Sequence, residues 1–151
     1  MVDQVIYIRE YRHMTKPISK QQYKRHPFTA KEYHNAMITV ADIVVNVCCA
    51  FNVTLPKPVR VFKTYLSKYR WTDSRLNIGW EAKDYIESIT LHELAHHIVY
   101  KNTGPHRHTE YFWHVLWEII GFYFGDHALY CWKHEYKHGK TYARNRGIQV
   151  K

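Results

Sequence analysis

Apolar residues recur at spacings of three and four in three stretches of the chain, which is the period of a helix with one buried face. The first stretch begins at the N-cap signal Thr29 and runs to about Phe51. The second covers Asp84 to Tyr100, and the third runs from about Thr109 to Tyr123. The stripes consist of Tyr33, Met37, Val40, Val44, Val47 and Phe51, then Ile86, Ile89, Leu91, Leu94, Ala95, Ile98 and Val99, then Phe112, Val115, Leu116, Ile119, Ile120 and Tyr123. The pattern predicts three helices that pack on a common core.

The segment between the first two predicted helices has strand character instead. Leu55-Pro56-Lys57-Pro58 interrupts helix formation, because proline lacks the backbone N–H that a helix needs. Val59 to Thr64 and Arg75 to Trp80 have the composition of strands, and a polar turn at Thr72-Asp73-Ser74 separates them. We therefore expect an α+β fold in which the helices pack on a small antiparallel sheet and the second helix lies in the core.

The length of 151 residues, with 46% hydrophobic and 16% aromatic residues, is that of one globular domain. Residues 1–28 form a polar N-terminal lead segment, and residues 29–125 form the core. Residues 126–151 are predicted to hold a short helix to about Glu135, followed by a basic tail. A single domain with these three segments is the simplest interpretation.

The sequence also favours a cytoplasmic protein. The longest apolar stretch, residues 36–51, is interrupted by polar residues and is too short to span a membrane, and residues 1–14 lack the apolar core of a signal peptide. Cys48, Cys49 and Cys131 include no CxxC pair, so we interpret them as small core hydrophobes in a reducing compartment. Recruitment by DNA would place the protein at the nucleoid or in the nucleus.

The formal net charge of +9 is concentrated in two segments. Residues 57–75 hold six basic residues against Asp73 alone, and residues 133–151 hold six against Glu135 alone. The first segment interleaves its charges with aromatic rings, as grooves for single-stranded nucleic acid do, so we predict that DNA is a partner and that single strands are preferred. The candidate contacts are Lys63, Lys68, Arg70 and Trp71. A solvated basic face whose rings lie in the core explains the same pattern equally well.

The sequence His92-Glu93-Leu94-Ala95-His96 lies within the second predicted helix. Two histidines four residues apart project from the same side of a helix, so both imidazoles reach one metal ion and the adjacent glutamate reaches its open coordination position. This spacing is typical of zinc peptidases, in which the glutamate is the general base. A surface helix that carries these residues by chance is disfavoured, because the helix has enough apolar positions to be buried.

A catalytic zinc ion usually takes three protein ligands and one water molecule, so His92 and His96 need a third donor. The extended pattern HExxHxxGxxH is excluded, because Val99 and Asn102 occupy the positions of its glycine and third histidine. The candidates after the motif helix are His106, His108, Glu110, His114 and Glu118. Spacing alone leaves the choice among them open.

The run from His92 to His97, followed after a short loop by His108-Thr109-Glu110-Tyr111-Phe112, resembles the SprT-like metalloprotease family, which includes Spartan. The resemblance covers residues 29–125 and implies a zincin-like fold with one catalytic zinc ion. The metal ligands that it implies are His92, His96 and His108, with Glu93 as the general base. It implies no ligand role for His97, and it makes the strand from Arg75 to Trp80 a guide for an extended peptide substrate. Thr109 stands where the family usually has glycine, and the C-terminal zinc ribbon of many bacterial members has no counterpart here.

Together, the motif, the resemblance and the charge predict a zinc endopeptidase that acts on DNA-associated proteins. Two alternatives stay open. In the first, the domain holds zinc structurally and is a basic nucleic-acid or protein adaptor. In the second, it is a peptidase dedicated to one regulator protein, and its positive charge is incidental.

Overall fold

The computed structural model describes residues 19–25 and 27–125, which form four α-helices, a 3₁₀ helix and a three-stranded sheet. The elements are α1 (Lys20–Arg25), α2 (Ala30–Ala50), β1 (Lys57–Val61), β2 (Lys68–Arg70), β3 (Arg75–Ile78), the 3₁₀ helix Trp80–Tyr85, α3 (Ile86–Thr103) and α4 (Glu110–Phe124). The predicted α+β class is confirmed. The predicted C-terminal helix, the basic tail and Cys131 lie outside the described residues.

The sheet is mixed, with the strand order β1-β3-β2. β1 runs parallel to β3 and β2 runs antiparallel to it, so the prediction of an antiparallel sheet is wrong for one of the two strand pairs. The polar turn after β2 does make a hairpin, but its first strand is the short β2, which the sequence pattern did not indicate. Phe62 takes a positive φ of 58° directly after β1, and the chain then crosses to the other edge of β3, as a parallel pair requires. β3, the predicted guide strand for substrate, is therefore central, and β2 is an edge strand.

α2 begins at the predicted N-cap. The hydroxyl of Thr29 accepts a hydrogen bond from the backbone N–H of Glu32, and the Glu32 carboxylate accepts one from the backbone N–H of Thr29, both at 3.1 Å. The inner face of α2 buries Ala36, Val40, Ile43, Val44, Val47 and Cys48. Met37 and Cys49 were predicted to lie in the core, but both are exposed. Each directly follows a buried residue in the sequence and lies outside the buried face of the helix. By length and composition alone, α2 also meets the criterion for a membrane span, which core helices meet as well.

α3 and α4 pack against each other and provide much of the core. Because the 3₁₀ helix takes up residues to Tyr85, α3 starts two residues after the predicted Asp84, and it ends at Thr103 before Gly104. The buried face of α4 consists of Phe112, Val115, Leu116, Ile119 and Ile120, all of them in the predicted stripe. α3 is buried more completely, since Glu93 and His97 are enclosed along with its apolar residues.

The described end of the lead segment contacts the core through aromatic rings. Tyr23 of α1 stacks on Trp80 with ring centroids 4.2 Å apart, and its hydroxyl lies 3.1 Å from that of Tyr33. Phe28 packs on Phe62 at 4.8 Å. These contacts place α1 against Trp80, at the start of the 3₁₀ helix, and against Tyr33 of α2.

Candidate metal centre

One turn of α3 brings His92 and His96 to the same side of the helix, where the loop before α4 delivers His108. The Nε2 atom of His108 lies 3.2 Å from Nε2 of His92 and 3.1 Å from Nε2 of His96. The three ligand atoms all lie within 4.8 Å of one another. In a tetrahedral zinc site with Zn–N bonds of 2.0–2.1 Å, neighbouring nitrogen ligands are about 3.3 Å apart. The three atoms are thus spaced as ligands of one small ion.

Hydrogen bonding alone does not account for this grouping. A neutral imidazole nitrogen has either one proton or one lone pair, so Nε2 of His108 satisfies at most one of its two neighbours. A cation at the centre satisfies all three lone pairs. Burial lowers the pKa of His92 to about 4 and that of His96 to about 3, and repulsion from His108 adds to both shifts. The two rings are therefore neutral near pH 7, which is the form that binds a metal, and imidazole nitrogen suits zinc.

His108 is held by the start of α4. Thr109 is the N-cap of that helix, with φ −75° and ψ 172°, and its hydroxyl accepts a hydrogen bond from the backbone N–H of Phe112 at 3.2 Å. Because this backbone conformation is open to any residue, threonine at position 109 causes no strain. The cap and the first turn of α4 together fix the position from which His108 reaches the other two rings.

Phe112 lies beneath the three rings and is completely buried. Its ring centroid is 5.2 Å from that of His92, 4.3 Å from that of His96 and 4.7 Å from that of His108. Sequence analysis placed Phe112 in the core stripe of α4 without giving it a part in the site. One aromatic ring thus packs against all three candidate ligands.

Glu93 is buried beside the histidines, and the backbone N–H of Tyr69 donates a hydrogen bond to its carboxylate. Burial raises the pKa of Glu93 to about 7, and the hydrogen bond from Tyr69 opposes this shift. The carboxylate therefore changes protonation near neutral pH. Sequence analysis predicted the glutamate but not its partner on β2, since nothing local in the chain links residues 69 and 93.

Glu93 and His96 face a cleft of about 730 Å³ between α3 and the 64–71 segment. Three of the four candidate nucleic-acid contacts, Lys68, Arg70 and Trp71, line the cleft, while Lys63 is exposed but does not line it. Arg70 pairs with Asp73, and its Nε lies 3.1 Å from Oδ1 of that carboxylate. The cleft thus combines the candidate catalytic residues with basic side chains.

The interleaved aromatic residues divide between core and surface. Phe62 and Tyr69 are buried, and the Tyr65 ring packs on Trp80 at 4.5 Å. Trp71 is 38% exposed and lies parallel to the ring of Tyr100, with centroids 6.5 Å apart. Of these rings, Trp71 is the one in a position to stack on a base.

Two further histidines have defined partners. His97 is fully buried, with Nε2 2.8 Å from the carbonyl oxygen of Thr54 and Nδ1 3.0 Å from the hydroxyl of Tyr69, so both ring nitrogens are used inside the fold. His106, a candidate third ligand in the sequence, contacts Nδ1 of His96 instead of joining the three converging nitrogens.

The remaining candidates for the third ligand were Glu110, His114 and Glu118. None belongs to the metal-binding group of three that the described residues form. His114 and Glu118 lie 3.9 Å apart along α4. The structure thus groups His108 with the two motif histidines.

Comparison of the chain with known protein families, with curated proteins and with solved structures gave no match. The resemblance to SprT-like proteases therefore rests on the motif residues themselves.

Proposed function

We propose that the protein is a zinc-dependent endopeptidase of the SprT-like type, with a zincin-like core, that hydrolyses peptide bonds in DNA-associated proteins. The observation that carries the proposal is the convergence of three imidazole nitrogens next to the buried carboxylate of Glu93, which lines the cleft together with His96. His92, His96 and His108 would hold the ion and leave one position open, which is the ligand set of catalytic zinc sites. When bound, zinc would polarise a substrate carbonyl and lower the pKa of water toward about 7.

Glu93 would perform the proton transfers. A general base works best when its pKa lies near the operating pH, and burial raises the pKa of Glu93 toward neutral in the metal-free protein. Its carboxylate accepts a proton from the attacking water and then donates that proton to the nitrogen of the leaving amine, so Glu93 ends the cycle as it began. The backbone N–H of Tyr69 orients the carboxylate, and β2 offers an edge along which an extended peptide would lie.

Glu93→Gln tests this proposal, because it removes the base and keeps the size of the side chain. We expect the variant to bind zinc and to unfold at a temperature no lower than that of wild type, because glutamine removes the cost of an ionised carboxylate at this buried position, while cleavage of a basic DNA-binding protein falls about 10²- to 10⁴-fold. Glu118→Gln, at an exposed glutamate of α4, is the matched control and should cleave at the wild-type rate. Equal cleavage by Glu93→Gln and wild type would favour the adaptor domain that holds zinc without protease activity.

The proposed DNA partner is supported by the basic side chains at the cleft and by the exposed face of Trp71. Replacing Lys63 and Lys68 together by glutamine should reduce the salt dependence of single-strand binding by about 0.7 in slope for each lost phosphate contact. Lys31→Gln, at an exposed position of α2, is the control. Titrations of single-stranded and duplex oligonucleotides at two salt concentrations measure this. Equal affinities that vanish at physiological salt would favour a peptidase for one regulator protein.

A further inference from the structure

His106 lies against the ring of His96, with the two ring centroids 5.1 Å apart. We propose that His106 is a positioning residue for the zinc site, because its Nε2 accepts the Nδ1–H of His96 and so holds His96 in the tautomer whose Nε2 lone pair faces the ion. This inference rests on the proposed metal site and adds a residue that acts through His96. Sequence analysis considered His106 only as a possible ligand.

The carbonyl oxygen of Gly104 can only accept a hydrogen bond, and this determines which nitrogens of His106 and His96 carry protons. Nδ1 of His106 lies 3.0 Å from the carbonyl oxygen of Gly104, so Nδ1 carries a proton and donates it to that oxygen. Nε2 of a neutral His106 then has a lone pair, and it lies 2.9 Å from Nδ1 of His96. The Nδ1–H of His96 donates to it, which leaves Nε2 of His96 unprotonated beside Nε2 of His108.

The ring of His106 is held in place independently of any metal. Gly104 ends α3 at φ 83°, a conformation that favours glycine, and its carbonyl oxygen fixes one edge of the ring. Trp71 packs on His106 with ring centroids 5.9 Å apart, and Phe112 lies 6.2 Å away. The hydrogen bond to His96 is therefore part of the folded protein before zinc binds, so the bond contributes to metal affinity through preorganisation.

Replacing His106 by glutamine or by asparagine distinguishes the roles of its two ring nitrogens. The side-chain amide of glutamine is as many bonds from Cα as Nε2 is in histidine, so His106→Gln keeps an acceptor for the Nδ1–H of His96. Asparagine places its amide at the distance of Nδ1, so His106→Asn keeps a donor for Gly104 and loses that acceptor. His106→Phe keeps ring packing and loses both hydrogen bonds. His34→Asn, at an exposed histidine of α2, is the control for changes in histidine content.

The measurement is the zinc dissociation constant of the full chain, obtained by competition with a chromophoric chelator. We expect affinity to fall about 10- to 100-fold in His106→Asn and His106→Phe, the usual effect of losing a partner of a metal-binding histidine. His106→Gln should bind within about threefold of wild type, as should His34→Asn. Thermal unfolding of the metal-free proteins checks that all variants fold. Wild-type affinity in both His106→Asn and His106→Phe would overturn the inference, and so would an equal loss in all three variants.

Long-range ¹H–¹⁵N NMR spectra of the zinc-loaded protein test the tautomer directly. The inference requires a protonated Nδ1 and a metal-bound Nε2 in His96, and the opposite assignment would overturn it. These readouts do not depend on proteolysis. If wild type binds zinc and cleaves substrate while the His106 variants bind normally, the inference fails and the proposed function stands. If wild type takes up no zinc, the proposed function fails as well.

Discussion

Phe112 offers a direct test of how the core supports the metal site. Its ring is completely buried and contacts the rings of all three candidate ligands. Phe112→Ala should lower the free energy of unfolding by about 3–5 kcal/mol, the usual cost of removing a buried phenylalanine ring. That is a large part of the about 5–15 kcal/mol that stabilises a typical domain, so Phe112→Leu provides a second variant that costs less.

The same substitution should also weaken zinc binding. Each packed pair of rings contributes about 0.5–1.5 kcal/mol, so the three pairs together contribute at least about 1.5 kcal/mol to the order of the ligands. A loss near this lower limit, about 1.4 kcal/mol, weakens zinc binding about tenfold. The readout is the increase in unfolding free energy that a fixed, saturating concentration of zinc produces, which falls by about 1.4 kcal/mol for a tenfold weaker site. We expect this zinc-dependent increase to be smaller in both Phe112 variants than in wild type.

Leu116→Ala is the matched control. Leu116 is also completely buried and lies one turn further along α4. Its truncation should cost about 2–5 kcal/mol of stability while the zinc-dependent increase stays at the wild-type value. If Phe112→Leu and Leu116→Ala both show the wild-type increase, Phe112 is an ordinary core residue and the reasoning is refuted.

Two further predictions concern the fold around the site. Gly79→Ala places a methyl carbon 2.3 Å from a backbone carbonyl oxygen, so urea denaturation should show a marked loss of stability, and a wild-type midpoint would contradict the packing of the 62–67 loop. The metal-free protein should lose stability as pH falls from about 6.5 toward 4, because burial lowers the pKa values of His92, His96 and His97 in the folded state while the unfolded chain protonates. Because the pKa of Glu93 is raised in the folded state, the folded protein takes up a proton at Glu93 between about pH 7 and pH 4.5, and this offsets the loss of stability caused by one of the histidines. Glu93→Gln removes this offset, so the stability of the variant should fall more steeply with pH. Equal stability at pH 7 and pH 5 in that variant would contradict the burial of these rings.

The sequence predicted those features that depend on neighbouring residues. The Thr29 cap, the stripe of α4 and the spacing of His92 and His96 follow from the geometry of a single helix, and the structure has each of them. The sheet was harder to predict, because β2 has three residues and too little alternation to indicate a strand. Without β2, the parallel pairing of β1 with β3 had no basis in the pattern.

Contacts between distant segments account for what the sequence did not reveal at the site. The hydrogen bond from Tyr69 to Glu93 joins an edge strand to a helix, and the contact of His106 with His96 depends on how Gly104 turns the chain. Hydrophobic period and ligand spacing carry no information about such contacts. The burial of Phe112 was predicted, but its position beneath the three rings depends on the packing of α4 against α3.

The central claim, that His92, His96 and His108 hold one catalytic zinc ion, is tested most directly by metal analysis combined with X-ray absorption spectroscopy. We predict about one zinc ion per chain, bound by three imidazole nitrogens and one oxygen donor at about 2.0–2.1 Å. His108→Ala should lose one imidazole from the spectrum and bind zinc more weakly than His106→Asn does. A wild-type protein that takes up no zinc, or a spectrum with sulfur or four imidazole ligands, would contradict the account.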